Sequence, residues 1–316
     1  MLRIRTSLIV LLVSLGVNGG GAAGCGKKQR ASQPGNDNVA AQPTPARVEE
    51  TVSDEIKELA GGAYGKVTDA FVVVAREAET YAALGELVEN LPQLKPDFFR
   101  QHMVVAAFLG RRNTGGYGVQ ITKAADNRLR VSSASPPAGS MTTQALTAPF
   151  KVVSVPINET RSMTIEVAPE WNDEARPYRV SSGEFMTGGG FAGRFEKLQL
   201  AGGISVSRLG RLATFVFDLK STGGAKARSL QDAATGLVGA QGDISGAVVD
   251  AGTLVDFPRS PLGIKGAFAE NEDRLSLSFE SLPSNVADGY SGQGKLDAKA
   301  TAPAPPKKPA STDAPM

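Results

Sequence analysis

The run Met103-Val-Val-Ala-Ala-Phe-Leu109 is apolar at every position, long enough for a strand and too short for a typical helix. Such density predicts burial on both faces. Beyond it, Gly110 to Gly118 supplies turn chemistry, because Gly115 and Gly116 can take backbone angles that a side chain forbids. Val119 and Ile121 then resume strand alternation. The stretch predicts a hairpin with an exposed Thr114-Gly-Gly-Tyr117 tip. Upstream, Phe71–Ala75 is a short apolar strand, and Tyr81, Leu84, Val88 and Leu91 recur at helical spacing until Pro92 and Pro96 end the helix. Downstream, Leu129 and Val131 mark a strand, a loop runs from Ser135 to Pro149, and Phe150, Val152 and Val155 lead into a hairpin partner containing Met163, Ile165 and Val167. One main helix on an antiparallel sheet, over residues 64–168, is an α+β domain.

The second half, residues 179–300, has a different rhythm. Ile204/Val206, Phe215/Phe217/Leu219, Ile264/Phe268 and Leu275/Leu277/Phe279 alternate with polar or small residues between glycine-rich turns. Strands with one buried face predict an all-β sandwich or a closed antiparallel barrel. Ser229–Gln241 is the one stretch with a helical option, which its glycines oppose. Residues 169–178 form the expected linker, with Trp171 wedged between the domains and Glu170, Asp173 and Glu174 in solvent.

The chain ends carry other signals. Arg3 and Arg5 precede an apolar run, Leu8–Val17, well short of the ~20 residues that a spanning helix needs. Residues 1–24 read as a secretory signal. The small residues that end Ala22-Ala-Gly-Cys25 resemble a bacterial lipoprotein signal, in which the cysteine is acylated and becomes the new N-terminus. Cys25 is the sole cysteine of 316 residues, so an intrachain disulfide is excluded, and a lone thiol beside a signal peptide is explained by lipidation, palmitate included; the alternative is an ordinary signal peptide cut elsewhere, with an incidental thiol. By the same resemblance, Gly26 in place of aspartate directs the protein to the outer membrane. Residues 25–63 form a polar, proline-containing tether with a reach of a few tens of Å (about 5–6 Å × √n if flexible). Lys27, Lys28 and Arg30 would sit beside lipid headgroups, as an electrostatic aid or as plain solubilising charge. Residues 301–316 form a proline-rich tail.

Charge narrows the function. Removing Arg3 and Arg5 brings the 34 Lys+Arg residues level with the 32 Asp+Glu residues. A neutral mature chain argues against nucleic acid, which demands surplus cations. His102, the one histidine, excludes a multi-histidine metal site and, with Cys25 spoken for, a Cys/His pair. It reads as a strand-end residue with a partly solvated ring. Gly188-Gly-Gly-Phe-Ala-Gly193 satisfies a dinucleotide fingerprint formally, but strand-like residues follow where a helix is required, so a turn or bulge is expected. Glu170, Asp173 and Glu174 beside Trp171 could be drawn as a glycosidase pair, but that needs two carboxyls facing across a cleft, which spacing in a loop does not establish. Asn158-Glu-Thr160 is read as a turn. No catalytic residue, cofactor or metal is expected.

Three pieces taken together resemble the C-terminal domain family of PrcB, a subunit of a bacterial surface protease complex. They are Pro96-Asp97-Phe98; Val104-Val-Ala-Ala-Phe-Leu-Gly110 with Thr114-Gly-Gly-Tyr117; and Ser135-Pro-Pro137 with Gln144-Ala-Leu-Thr-Ala-Pro-Phe150. The resemblance implies an exported protein-binding or protease-stabilising module that is not an enzyme, with another exported protein as partner. Thr114, Gly115, Gly116, Tyr117 and Gln144 are its candidate contact residues, with Met141, Thr142 and Thr143 completing the edge. A tyrosine on a glycine turn offers a large amphipathic surface at low entropic cost; alternatively, Tyr117 begins a strand and packs inward. A different function, carriage of a small apolar ligand inside the C-terminal β domain, requires room between its strands.

Overall fold

A computed structural model of the chain describes residues 56–301, apart from 125–126, 158–162, 172–173, 190–193, 223–225, 256–259, 270 and 283–289. The signal, Cys25, most of the tether, Asn158–Thr160 and the tail beyond Thr301 lie outside the described residues. The first elements are β1 (Lys57–Gly62), β2 (Ala70–Ala75), α1 (Ala78–Leu84), α2 (Phe98–Gln101), β3 (His102–Leu109), β4 (Gly118–Lys123), β5 (Arg128–Ala134), β6 (Phe150–Pro156) and β7 (Thr164–Val167). They build two sheets: a four-stranded antiparallel sheet in the order β1-β6-β3-β2, and a three-stranded sheet in the order β4-β5-β7. In the smaller sheet β5 and β7 run parallel.

The apolar density of β3 has its expected meaning. Val104, Ala106 and Phe108 enter one core with Tyr81, Leu84, Val88 and Phe99 from the helical side. Met103, Val105, Ala107 and Leu109 enter a second core with Ile121, Leu129, Val131 and Ile165 of the smaller sheet. The larger sheet is thus a middle layer buried on both faces.

The pairing differs from the expected hairpins. β3 is hydrogen-bonded to β2 and β6, one on each side, so it has no edge left for β4, which pairs with β5 instead. Residues 110–117 therefore cross between sheets and do not turn a hairpin. β6 and β7 likewise belong to different sheets. The helix stops at Leu84, with Gly85 at its C-cap, but Val88 and Leu91 still pack against the helical core from the turns that follow. The larger sheet also starts early. β1 lies inside the stretch read as tether, and its single leucine gives a lone edge strand little apolar signature.

From residue 176 the chain forms β8 (Arg176–Gly189), β9 (Arg194–Leu209), β10 (Leu212–Ser221), β11 (Ser229–Val238), β12 (Asp243–Asp250), α3 (Gly252–Val255), β13 (Pro261–Ala269), β14 (Arg274–Ser281) and β15 (Tyr290–Ala300). Each strand pairs antiparallel with the next and β15 returns to β8, so of the two architectures expected the closed eight-stranded barrel is the one formed. Ser229–Val238, the helical option, is a strand. The alternating residues face inward as one core. Phe217 on β10 and Phe279 on β14 stand on opposite sides of the ring, yet their centroids are 6.1 Å apart, and Phe215 meets Phe268 at 6.3 Å. An eight-stranded barrel is just wide enough for side chains to fill, and these rings fill it. Glu184, Lys197, Gln199, Lys220, Lys265, Glu280, Lys295 and Lys299 are exposed on the outer wall. An apolar lumen within a charged wall is the reverse of a membrane-spanning barrel. Among the described residues no helix is long and apolar enough to cross a membrane.

The barrel shares part of its wall with the two sheets. Val74 N–H, on the outer edge of β2, donates to Thr235 Oγ1 (2.8 Å). Thr214 Oγ1 donates to Val72 O and lies 2.7 Å from Thr235 Oγ1. The edge of the larger sheet is thereby satisfied by threonines on the outside of β10 and β11.

Candidate functional site

The segment 110–117 is short and glycine-rich because it must pass beneath another loop. Gly115 N–H donates to Thr143 O (2.9 Å), and Arg112 and Thr147 exchange backbone hydrogen bonds of 2.7 and 2.9 Å. Residues 143–147 therefore run antiparallel beside 112–115. Thr147 Oγ1 adds a bond to Thr114 O (3.1 Å). A Cβ on Gly115 would stand 2.3 Å from Thr143 Oγ1. Gly116 has φ +85, and a Cβ there would stand 2.9 Å from Cβ of Pro136 and 3.3 Å from Thr142 Cγ2. Glycine is needed here for close approach as well as for backbone angle. The pieces Thr114–Tyr117, Ser135–Pro137 and Gln144–Phe150, separate in sequence, meet in this clasp.

The five sequence-predicted contact residues are placed unequally. Gln144 and Gly116 are exposed, Thr114 and Tyr117 are half-buried, and Gly115 is buried under the loop. Tyr117 packs against the core between the two sheets, and the Arg112 guanidinium lies 5.8 Å from its ring centroid. The tip is therefore a braced crossing with one face in solvent, where an exposed hairpin end was expected. Of the flanking residues, Met141 and Thr143 are exposed and Thr142 is half-buried.

Sequence reasoning missed three contributors. Tyr64 is 74 % exposed and bridges to Ala148, Leu146 is 61 % exposed beside Thr147, and Pro136 wedges against Gly116. Tyr64, Leu146 and Met141 are three of the five large hydrophobic side chains exposed among the described residues. A signal was available in the sequence: Ser135–Pro149 contains no charged residue.

Glu170 supports the clasp from below. Its carboxylate accepts from Ser133 N–H (3.0 Å) and Ser133 Oγ (2.8 Å). Burial alone would raise its pKa, but hydrogen bonds from its own backbone and from Ser133, with Arg112 acting in the same direction, hold the carboxyl below the usual range. Trp171 is buried in the core between the two sheets, which also includes Ala233 of the barrel wall, and its Nε1–H donates to Phe108 O (2.9 Å). His102 is half-buried and stacks on Phe98 with centroids 4.5 Å apart. Gly188 and Gly189 end β8, and the rest of the glycine-rich hexapeptide lies outside the described residues.

Two other places were weighed. A groove of about 380 Å³ lies between β7 and strands β10 and β11. Its polar lining is already engaged: Gln231 with Asp218, Thr253 with Ser229 O, and Glu166 with Arg128 and Arg130. The barrel lumen is filled, which removes the support for a ligand carrier. Fold and site together define a mostly β protein whose distinctive surface is a clamped loop. Residues 103–156, from β3 to the end of β6, match the family described as PrcB C-terminal, the one that the sequence resembles. That family bears the name of an accessory protease-complex subunit and is not a catalytic family. No curated protein matches the chain.

Proposed function

We propose that this protein is a lipid-anchored, extracytoplasmic protein-binding module that serves as an accessory or stabilising subunit of an exported protease. The observation that carries the reading is a coincidence in space: the stretch matching the PrcB C-terminal family also holds Thr114, Gly115, Gly116, Tyr117 and Gln144 in one clasp. Tyr117 and the loop above it form the contact edge. Acyl chains on Cys25 attach the protein to the bacterial cell envelope, in the outer membrane as Gly26 favours. Binding a folded partner and not its unfolded form stabilises that partner by mass action, without any catalytic step. Neutrality of the mature chain favours a protein partner over nucleic acid.

The test is made in the producing cell. Metabolic labelling with a palmitate analogue is expected to mark the wild type and to fail for Cys25→Ala. Crosslinking in intact membranes is expected to recover a protease, and that protease is expected to decay faster in cells lacking this protein. A recovered protease whose lifetime does not change on deletion would end the stabilising role, and label persisting on Cys25→Ala would end the anchor.

A further inference from the structure

The smaller sheet is one strand narrower than the sheet on which it packs. Both start at the barrel: β7 meets it through Ile165 N–H and Asp232, and β2 through Val74 N–H and Thr235. From there the larger sheet runs β2-β3-β6-β1, and the smaller runs β7-β5-β4. β4 lies over β6, so the place beside β4 and above β1 holds no strand among the described residues.

The edge of β4 that borders this place is open. Ala124 N–H donates to Arg128 O (2.7 Å), which sets the bonded pairs of the β4–β5 ladder. By antiparallel alternation Gln120 and Thr122 then bond to β5, while Val119 and Ile121 turn their N–H and C=O groups outward. No described residue bonds to those outward groups. The ladder keeps one register from Gly118 to Lys123 and contains no proline. β1, the other outer strand, is blunted by a register shift between Glu58 and Ala60 and by its charged start.

We propose that the β4 edge binds an extended segment of another protein by strand addition. A row of unmet N–H and C=O groups is satisfied by an extended backbone, and this fixes the chemistry of the ligand. Other occupants fit poorly. A second copy pairing β4 with β4 would bring its own β6, which underlies its β4, into the position of β1. The tail beyond Thr301 carries Pro303, Pro305, Pro306 and Pro309, which have no N–H to donate.

The floor of the place is small and neutral. Gly61 of β1 lies opposite Lys151 of β6, and the Glu58 carboxylate folds over Gly61 to pair with Lys151 (3.3 Å). Since that pair cancels its own charge, inward side chains with hydroxyl or amide ends suit it better than charged ones. Val119, half-buried at this margin, gains cover from the added strand. The surface adjoins Tyr117 but does not depend on the accessory-subunit reading.

The experiment pans a phage-displayed library of random octapeptides against the full-length protein and follows amide exchange with the enriched peptides made synthetically. Bound peptide is expected to slow exchange of the Val119 and Ile121 amides at least tenfold, with Gln120 and Thr122 protected beforehand. Val119→Pro removes an outward N–H and no ladder bond. It is expected to weaken peptide binding at least tenfold while Gln120 and Thr122 stay protected. Should that variant fail to fold, the exchange measurement on the unaltered protein decides alone. Failure to enrich any peptide, peptides that bind without slowing Val119 and Ile121, or undiminished binding by a folded Val119→Pro each overturn the proposal. Slow exchange of both amides in the protein alone also overturns it, because the chain's own residues before Ile56 would then hold the edge.

Discussion

Arg76 and Asp232 join the two-sheet region to the barrel through a buried ion pair, with Arg76 Nη2 3.0 Å from Asp232 Oδ2 and both side chains almost fully covered. Arg76 directly follows β2. Its Nη1 donates to Val248 O of β12 (2.7 Å) and Ala233 O of β11 (2.9 Å). Asp232 accepts from Asp250 N–H and Ile165 N–H, each at 2.9 Å. β11 and β12 pair directly at Leu237↔Ser245 and Val238↔Ile244, and beyond those pairs the guanidinium and carboxylate bridge the seam. The barrel wall is completed by a residue from outside the barrel.

Removing one partner leaves the other charge buried and unpaired. Arg76→Ala should cost about 3–5 kcal/mol, read as a lower urea midpoint. Arg76→Lys keeps the charge but not the planar fork that reaches several acceptors, so it should recover only part. Arg76→Met with Asp232→Leu should not restore full stability, because the N–H groups of Ile165 and Asp250 lose their acceptor, at about 1–3 kcal/mol each.

The filled lumen makes a second prediction. Phe217→Ala or Phe279→Ala opens a cavity where the two rings met, and truncation of a buried phenylalanine costs about 3–5 kcal/mol. Apolar cavities of this kind stay dry and admit small apolar ligands. The wild type should give no thermal shift with benzene-sized probes, whereas a variant that still folds should gain one. A shift in the wild type would mean that the barrel has room that its aromatic contacts deny.

How much of this was legible follows from what alternation encodes. A run such as Met103–Leu109 reports that both faces are buried, and β3 has two cores. It does not report which strand lies alongside, and the glycines after it suit a crossing as well as a turn. β11 escaped for a related reason: Leu230 and Ala234 face the lumen while Ala233 and Leu237 pack outward among Gln231 and Thr235, so the outer face is mixed and the alternation is blurred. At the candidate site, Gly115 and Gly116 announced a backbone constraint correctly. They are small to admit Thr143 and Pro136, a three-dimensional fact with no local trace. Arg76 after an apolar strand and Asp232 in the stretch with a helical option were the visible signs of the seam, each ambiguous until paired.

Glu170 gives a pH dependence with a definite sign. Its folded pKa lies below the ordinary glutamate value of 4.5. Its contribution is therefore fully present above about pH 4.5 and is lost as pH falls through the folded value. Glu170→Gln keeps one acceptor for Ser133 but removes the charge. The variant should show a shallower loss of stability on acidification below that point, with a small difference at neutrality because the side chain is only half-buried. Urea midpoints measured across the acid range test this, and parallel curves for the two proteins would refute it.

Gly116→Ala separates the clasp from the rest of the fold. The substitution meets two obstacles at once, a positive φ of +85 and the Cβ of Pro136 at 2.9 Å. Strain of this kind costs about 1–3 kcal/mol, and the loop is where it can be relieved, since Pro136 and Thr142 can lift away without disturbing either sheet. Exchange of the Gly115 amide, now bonded to Thr143 O, should accelerate along with that of Arg112 and Thr147, while amides in β3 and β6 stay protected. Partner capture should weaken in parallel, because the loop would have to be ordered at the moment of binding. If Gly116→Ala frees the loop's amides and binding is unchanged, bracing contributes nothing to recognition. If it unfolds β3 and β6 as well, the clasp is part of the core and not a separable surface.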